Sequence, residues 1–592
     1  MKRFLAMLLC AVLVFAFAAA CANDTPAPSS GGSPSQSQSP SASPSASPGA
    51  GSSSGEPADT GNNGMLGNMY LTGYPIVEEK VTLRFTACRW ANCKNDFKDM
   101  LVFQQYEELT NVNIDWIEIE EASWVETTRL MLATLDLPDA FYGWPIADDV
   151  ILTYGEQGIL LPLNDLIDTY APNMLFGMEV YPMARPAMTY PDGNIYSVPM
   201  QNMSAIVANQ NVTWINEDWL NLAGMSMPQT TEDLYDVLKA FKGLYPDQYP
   251  FTFQMFAPNG LPSMGQSIVG MFGSWGIHLN DRYVMFNDWG EVVFAPAQPG
   301  YLEALRYFNR LYSEGLLDPE SFTQTQQQME AKTRDPESPG VGMTISNLIG
   351  MHTDWSARQQ GYTETLEDFT SSFNYETKMS GTRYKPMGPL QVPGAATPIF
   401  NPMMTVQGAN SGRFAITNVC KTPEVAMRWV DTFCDNVYHA NNIRFGPQGM
   451  FWDYDQDGDI VQLNPPQDLP GTPYDLDTTF NPLNYCVWWW WAIDRPQKHA
   501  PNNVYNINYV QVLYTPFVTR PAVPPLKFTI DETATLSSIQ VDLFTFVNSS
   551  LANFILYGVT DSQWDNYLRD LRRYGMDTFI DLYKTGYNRI DN

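Results

Sequence analysis

The chain has 592 residues, too many for one hydrophobic core, since single cores stop growing near roughly 250–300 residues. Its 64 acidic residues outnumber 33 basic ones, for a formal charge of −31. Such a surface repels phosphate backbones and anionic headgroups, which argues against a nucleic-acid partner.

Lys2 and Arg3 open the chain, Phe4 to Phe17 is an uninterrupted apolar run, and Ala18-Ala19-Ala20 leads into Cys21. Basic, apolar and small residues in that order predict a secretory signal over 1–20, too short and wrongly flanked for a lasting membrane span. A cysteine directly after the small residues resembles the lipobox of bacterial lipoproteins, although Ala18 stands where Leu is usual. The resemblance makes Cys21 the acylated first residue of the mature chain; ordinary cleavage leaving a plain thiol is the alternative. From Thr25 to about Gly64 the sequence is mostly Ser, Pro, Gly and Ala. It lacks the large apolar residues that offset ordering entropy, so 21–78 reads as an anchor and disordered linker. At roughly 5–6 Å × √n its reach is on the order of 35 Å, which suits the outer face of a wall-bearing, Gram-positive type of cell.

Val81 to Phe85 alternates as a half-buried strand, a helix is predicted from Asn95 to Leu109, and Val112 to Ile119 is a second strand. A helix over Trp124 to Leu135 leads into a third strand ending at Phe141-Tyr142. Strands alternating with helices indicate a parallel sheet. Asp192-Gly193-Asn194 is a turn, and Ile195 to Pro199 reads as a strand from which the chain crosses between domains. Thr230 caps a helix carrying Leu234, Val237, Leu238 and Phe241 on one face. Tyr301 to Leu316 and Pro423 to Val437 are similar, the latter with Thr422 as cap and proline in the first turn.

Several stretches resemble, in order, blocks of the family 1 extracellular solute-binding proteins: "LATLDLPDAFYG", "YGEQGILLPLNDLIDTYAPN", "PDGNIYSVP", "WINEDWLNLAGMSMPQTTEDLYDVLKAF" and "ITNVCKTPEVAMRWVDTF". They look most like the large lipid-anchored Gram-positive branch that includes the LplA-like proteins, and the likeness runs from about Val81 to Arg589. It implies an α/β, two-lobed periplasmic-binding-protein-like fold of type II with a hinge. The lobes would be 79–203 plus 381–445, and 204–380 plus 446–592. The resemblance also implies a small-molecule ligand, a sugar first among the classes, held between the lobes. ABC permease subunits would be the partners, the membrane would be reached through the lipid anchor, and no cofactor is implied.

Aromatics make up 13% of the chain, with 16 tryptophans including the run Trp488 to Trp491. A sugar ring has apolar C–H faces and a belt of hydroxyls, so it suits an aromatic platform edged by polar groups. Trp90, Trp144 and Trp355 follow predicted strand ends, outside which ligands sit in open α/β sheets. Gly342 to Asn347 resembles the glycine-then-strand segment of the maltose-binding branch, which puts Ser346 and Asn347 at the cleft. Trp452 and Trp488 complete the candidate set; each tryptophan has a core position as its alternative. Asp453, Asp455, Asp457 and Asp459 resemble an EF-hand loop, but Asn464 replaces the bidentate Glu, so a solvated turn is the expectation and no metal is assigned. His278, His352, His439 and His499 do not pair with cysteines at zinc-ligand spacing. Cys88 and Cys93 are close enough for a loop disulfide after export. No nucleophile elbow, zinc-protease helix or phosphate loop is present, so no catalytic residue is assigned. A surface glycoside hydrolase, with carboxylates such as Asp148-Asp149, and a cell-surface adhesin remain the alternatives.

Overall fold

The computed structural model describes residues 64–592 except 90–95, 181, 200, 203–211, 259, 264–265, 335–339, 347–383, 401–411, 435–437, 455–459, 463–487, 490–512, 519–521 and 592. The signal, Cys21 and most of the linker lie outside the described residues.

In chain order the elements that build the fold begin with β1 (Val81–Arg89), α1 (Leu101–Thr110), β2 (Val112–Glu120), α2 (Trp124–Thr134), β3 (Ala140–Tyr142) and α3 (Asp148–Glu156). They continue with β4 (Val212–Asn216), α4 (Thr231–Leu244), α5 (Pro299–Ser313), β5 (Met343–Ser346), β6 (Tyr384–Met387), β7 (Phe414–Ile416) and α6 (Pro423–Asp431). The hairpin β8 (Trp452–Tyr454) and β9 (Ile460–Gln462) follows, and α7 (Ile530–Tyr557), α8 (Asp561–Arg573) and α9 (Met576–Asp591) end the chain.

The first sheet has the order β7–β3–β1–β2, with β1 parallel to β2 and β3, and β7 antiparallel. Alternate residues of a strand face opposite sides, and here both sides are covered. Leu83, Phe85, Ala87, Tyr142, Phe414 and Ile416 pack into a core with α1 and α6. Cys88, Phe141 and Ala415 pack on the other side with α2 and α3. The result is a three-layer lobe. Asn111, which ends α1, is left-handed at φ 58°, a conformation that a short polar side chain tolerates. The edge strand β2 carries Asp115, Glu118 and Glu120, charges that discourage pairing with another chain.

The second sheet has the order β5–β4–β6, with both neighbours antiparallel to β4. Ile215, Met343, Ile345 and Met387 join a large core with α4, α5 and α7 to α9. Thr230 caps α4 as its spacing predicts: its hydroxyl accepts from Asp233 N–H, the Asp233 carboxylate returns to the Thr230 N–H, and all four apolar positions are buried. The 28-residue α7 is long and apolar enough to span a membrane by length and composition. Yet Leu543, Val547, Leu551 and Ile555, at spacings of four, are buried in the second core, so it is a core helix.

Several boundaries differ from the sequence expectation. The segment from 381, read as part of the first lobe, carries β6, which pairs with β4, and Ile399 N–H still bonds Gly273 O in the second lobe. The chain rejoins the first sheet only around β7. The start of 446–592, read with the second lobe, instead packs on the first: Gln448 N–H and Trp452 Nε1 both donate to Asn442 Oδ1. Residues 195–199 form only an isolated bridge, Val198 to Phe414, rather than a strand. The helix expected from Asn95 begins as a short 3-10 turn, Phe97–Asp99, and is interrupted at Met100, whose backbone is extended. Thr422 makes no side-chain cap to α6, which starts on its proline.

Candidate functional site

Two sheet edges frame the candidate site. In the first lobe, the carboxyl ends of β1 and β3 lie side by side. The Leu137-Pro138-Asp139 turn sets them: the Asp139 carboxylate accepts from Arg84 N–H at 2.8 Å, and Thr86 Oγ1 accepts from Tyr142 N–H at 3.0 Å. Beyond β3, Gly143 has φ +145°, and a Cβ there would meet the Trp124 ring at 2.9 Å and the Cys88 nitrogen at 3.0 Å. Only glycine lets the chain turn here. The turn delivers Trp144, half-buried, with the Arg413 guanidinium 5.1 Å from its ring centre. Gly143 N–H donates to Arg413 O at 3.0 Å and Ile146 N–H to Gly412 O at 3.1 Å, so the approach to β7 fixes this loop. On the end of β1, Arg89 is held by Glu118 at 2.7 Å and Asp96 at 2.9 Å.

In the second lobe, Gly342 precedes β5 because a Cβ would lie 2.4 Å from the Phe241 ring and 2.9 Å from Pro250 O. The strand ends on Ser346, which is fully buried and accepts the Trp214 indole N–H at 3.0 Å through its carbonyl. Val212 pairs with Ser346, and Thr213 with Met387, along the same edge. Tyr514 clasps that edge by accepting from Thr213 N–H at 3.1 Å and donating to Met387 O at 2.5 Å. A narrow opening between Thr213, Ser274, Met387, Phe400 and Tyr514 has room for about one water. It is too small for a sugar ring.

Of the residues singled out from sequence, Trp144 lies at the first edge, half-buried. Ser346 lies at the second edge, but buried, where it holds Trp214 rather than presenting its side chain. Trp452 is a correction: it is fully buried, and its indole N–H is shared between Asn442 Oδ1 and Gly446 O. It has no face to offer a ligand in this conformation. The Trp488 backbone pairs in parallel with Gln201, beside the crossing between lobes. Trp90, Asn347 and Trp355 lie outside the described residues, as do Cys93 and most of the 453–464 loop. β8 and β9, which take up part of that stretch, pair antiparallel. The Asp453 carboxyl is held below its ordinary range by bonds from Gln448 and its neighbour's N–H. Among the described residues no group of three or more His, Cys, Asp or Glu is arranged to hold a metal.

Arg413 has no signal in the sequence, and Asp148 enters there only beside Asp149, as a carboxylate pair for the hydrolase alternative. Asp148 Oδ1 accepts from the Tyr190 hydroxyl at 3.0 Å and from Lys527 Nζ at 2.6 Å. Its partner lies 379 residues away in sequence, and no local pattern announces such a pair. Burial and the neighbouring Asp148 charge push the Tyr190 hydroxyl well above its ordinary pKa, so it stays a donor.

Residues 95–433 match the model of the bacterial extracellular solute-binding protein family. The fructooligosaccharide ABC transporter substrate-binding protein FusA of Streptococcus pneumoniae is 26% identical over 537 residues, covering 87% of this chain and 91% of that protein. Its structure in complex with kestose superposes with a TM-score of 0.66 at 23% identity, over 86% of this chain and 99% of that one. An HMO-binding solute-binding protein from Bifidobacterium longum infantis gives 0.69 at 16% identity, over 86% and 99%. These likenesses establish the two-lobed, type II periplasmic-binding-protein-like fold.

Proposed function

The chain belongs to the bacterial extracellular solute-binding proteins, and we propose that it captures an oligosaccharide between its lobes for an ABC importer without transforming it. The observation that carries this reading is the near end-to-end similarity to a protein named for fructooligosaccharides. The site is compatible with it. Trp144, half-buried beside the Arg413 guanidinium, is the kind of aromatic group on which a sugar's C–H face packs, and Arg89 with its carboxylates supplies polar groups on the same edge. Trp90, Asn347, Trp355 and Trp488 are the further ligand-facing candidates by their place in the chain, whereas Trp452 is fully buried. ABC permease subunits are the proposed partners.

Catalysis is not part of the proposal. Asp148, of the carboxylate pair that could have served a hydrolase, is committed to Lys527 and Tyr190. The signal, Cys21 and the Ser/Pro linker support an anchor on the outer face of the membrane. A ligand that binds only the folded chain stabilises it by about 2.7 kcal/mol at a hundredfold excess over Kd. A thermal-unfolding screen across fructo-, gluco- and galacto-oligosaccharides should therefore give a selective rise in melting temperature for one class. A rise with peptides alone would discard the carbohydrate reading.

A further inference from the structure

Lys527 and Asp148 meet from different lobes. Lys527 belongs to the second: Leu526 is buried in its core, Phe528 packs against it, and Arg589 Nη1 reaches the Lys527 carbonyl at 3.4 Å. Asp148 opens α3 in the first lobe, where Ile146, Val150 and Ile151 pack with Phe141 of the sheet. Between them the Lys527 ammonium lies 2.6 Å from Asp148 Oδ1 and 5.1 Å from the centre of the Tyr190 ring, and Tyr190 donates to the same Asp148 oxygen. The lysine side chain is only 5% exposed, against 36% for Asp148. An ammonium is buried to that degree only where partners replace its water.

The place of the pair gives it a role. Asp148 follows Trp144 on the loop leaving β3, at the carboxyl edge where α/β sheets hold ligands. The contact therefore bridges the lobes on the cleft side. With the lobes apart, Lys527 and Asp148 would each return to water, and Tyr190 would lose the cation over its ring.

We propose that Asp148, Lys527 and Tyr190 form a latch that engages when the lobes close and biases the hinge toward the closed form before ligand arrives. The inference rests on the two-lobed, hinged fold and not on the identity of the ligand. A contact present in one state and absent from the other shifts their ratio by its full net worth. For charge-assisted bonds of this burial the shift is roughly tenfold.

Single-molecule energy transfer on the ligand-free full chain reads that ratio directly. The dyes are attached through azide-bearing residues at Leu130 and Trp289, which are exposed, one on each lobe. Lys527→Met should lower the closed-to-open ratio roughly tenfold, and Tyr190→Phe roughly threefold. The charge swap Asp148→Lys with Lys527→Asp should recover much of the loss, which a merely unfolded variant would not do. Equal ratios in all proteins, or a swap no better than the single change, would overturn the latch. Kestose added afterwards tests the carbohydrate reading separately, because the ligand-free ratios stand whether or not it binds.

Discussion

Trp144, which follows a predicted strand end, and Trp452, which only completes the candidate set, are separated by the structure into opposite outcomes for the same substitution. Trp452→Ala removes a fully buried ring, a change that costs about 3–5 kcal/mol in a core. Asn442 Oδ1 keeps the Gln448 N–H at 3.0 Å, so only Gly446 O is left without the indole donor. That orphaned acceptor adds ~1 kcal/mol. Trp144 is half-buried and packs at the margin of its cluster, so its truncation should cost only about 1.5–3 kcal/mol of stability. If its ring stacks on a sugar, affinity should fall by a further ~1–3 kcal/mol, by analogy with base–aromatic stacking. Urea unfolding and calorimetric titration with kestose, on both variants, read the two quantities independently. W452A should be unstable with unchanged intrinsic affinity, and W144A moderately stable with weakened binding. W144A with full affinity, or W452A with normal stability and lost binding, would refute the placement of these rings.

Burial and the positive charge of Arg282 push the His278 imidazole down to about 3. The folded chain then refuses a proton that the unfolded chain accepts below about 6.5, so stability falls as pH drops from about 6.5 toward about 3, by up to ~1.4 kcal/mol per pH unit. His278→Leu should flatten that part of the profile, and parallel wild-type and variant urea midpoints between pH 7 and 4 would contradict it. Gly143→Ala should destabilise by roughly 2–4 kcal/mol through φ strain and the Trp124 contact; a melting temperature within about a degree of wild type would show that the loop relaxes freely. Mass spectrometry of the cell-derived protein should find a diacylglyceryl-modified Cys21, and Cys21→Ser should appear in the medium. An unmodified wild-type chain starting elsewhere would reject the anchor.

Elements whose stability is local were legible in the sequence. The α4 helix could be read because Thr230 and Asp233 cap it and its apolar stripe repeats every three to four residues. β1 could be read because Val81 to Phe85 alternate between exposed and buried. Elements defined by distant partners were not. β6 contains Pro386, which has no N–H to donate and argues against a strand. It is tolerated because β6 is the edge of its sheet. Trp452 misled because indole serves a core and a sugar platform equally well, and only its two acceptors decide which. Asp148 read only as one of two neighbouring carboxylates, since nothing near it in sequence hints at Lys527. The glycines were informative in retrospect: Gly143 and Gly342 each sit where a Cβ would strike an aromatic ring, just beside a strand that frames the cleft.

The central claim is capture without chemistry. Equilibrium dialysis of the purified chain against kestose, followed by chromatography of the bound and free sugar, tests both halves at once. The account predicts saturable retention of one kestose per chain, recovered intact after prolonged incubation. Release of fructose or sucrose in proportion to protein and time would make the chain a hydrolase, and absence of retention for kestose and for every other oligosaccharide tried would remove carbohydrate from the account.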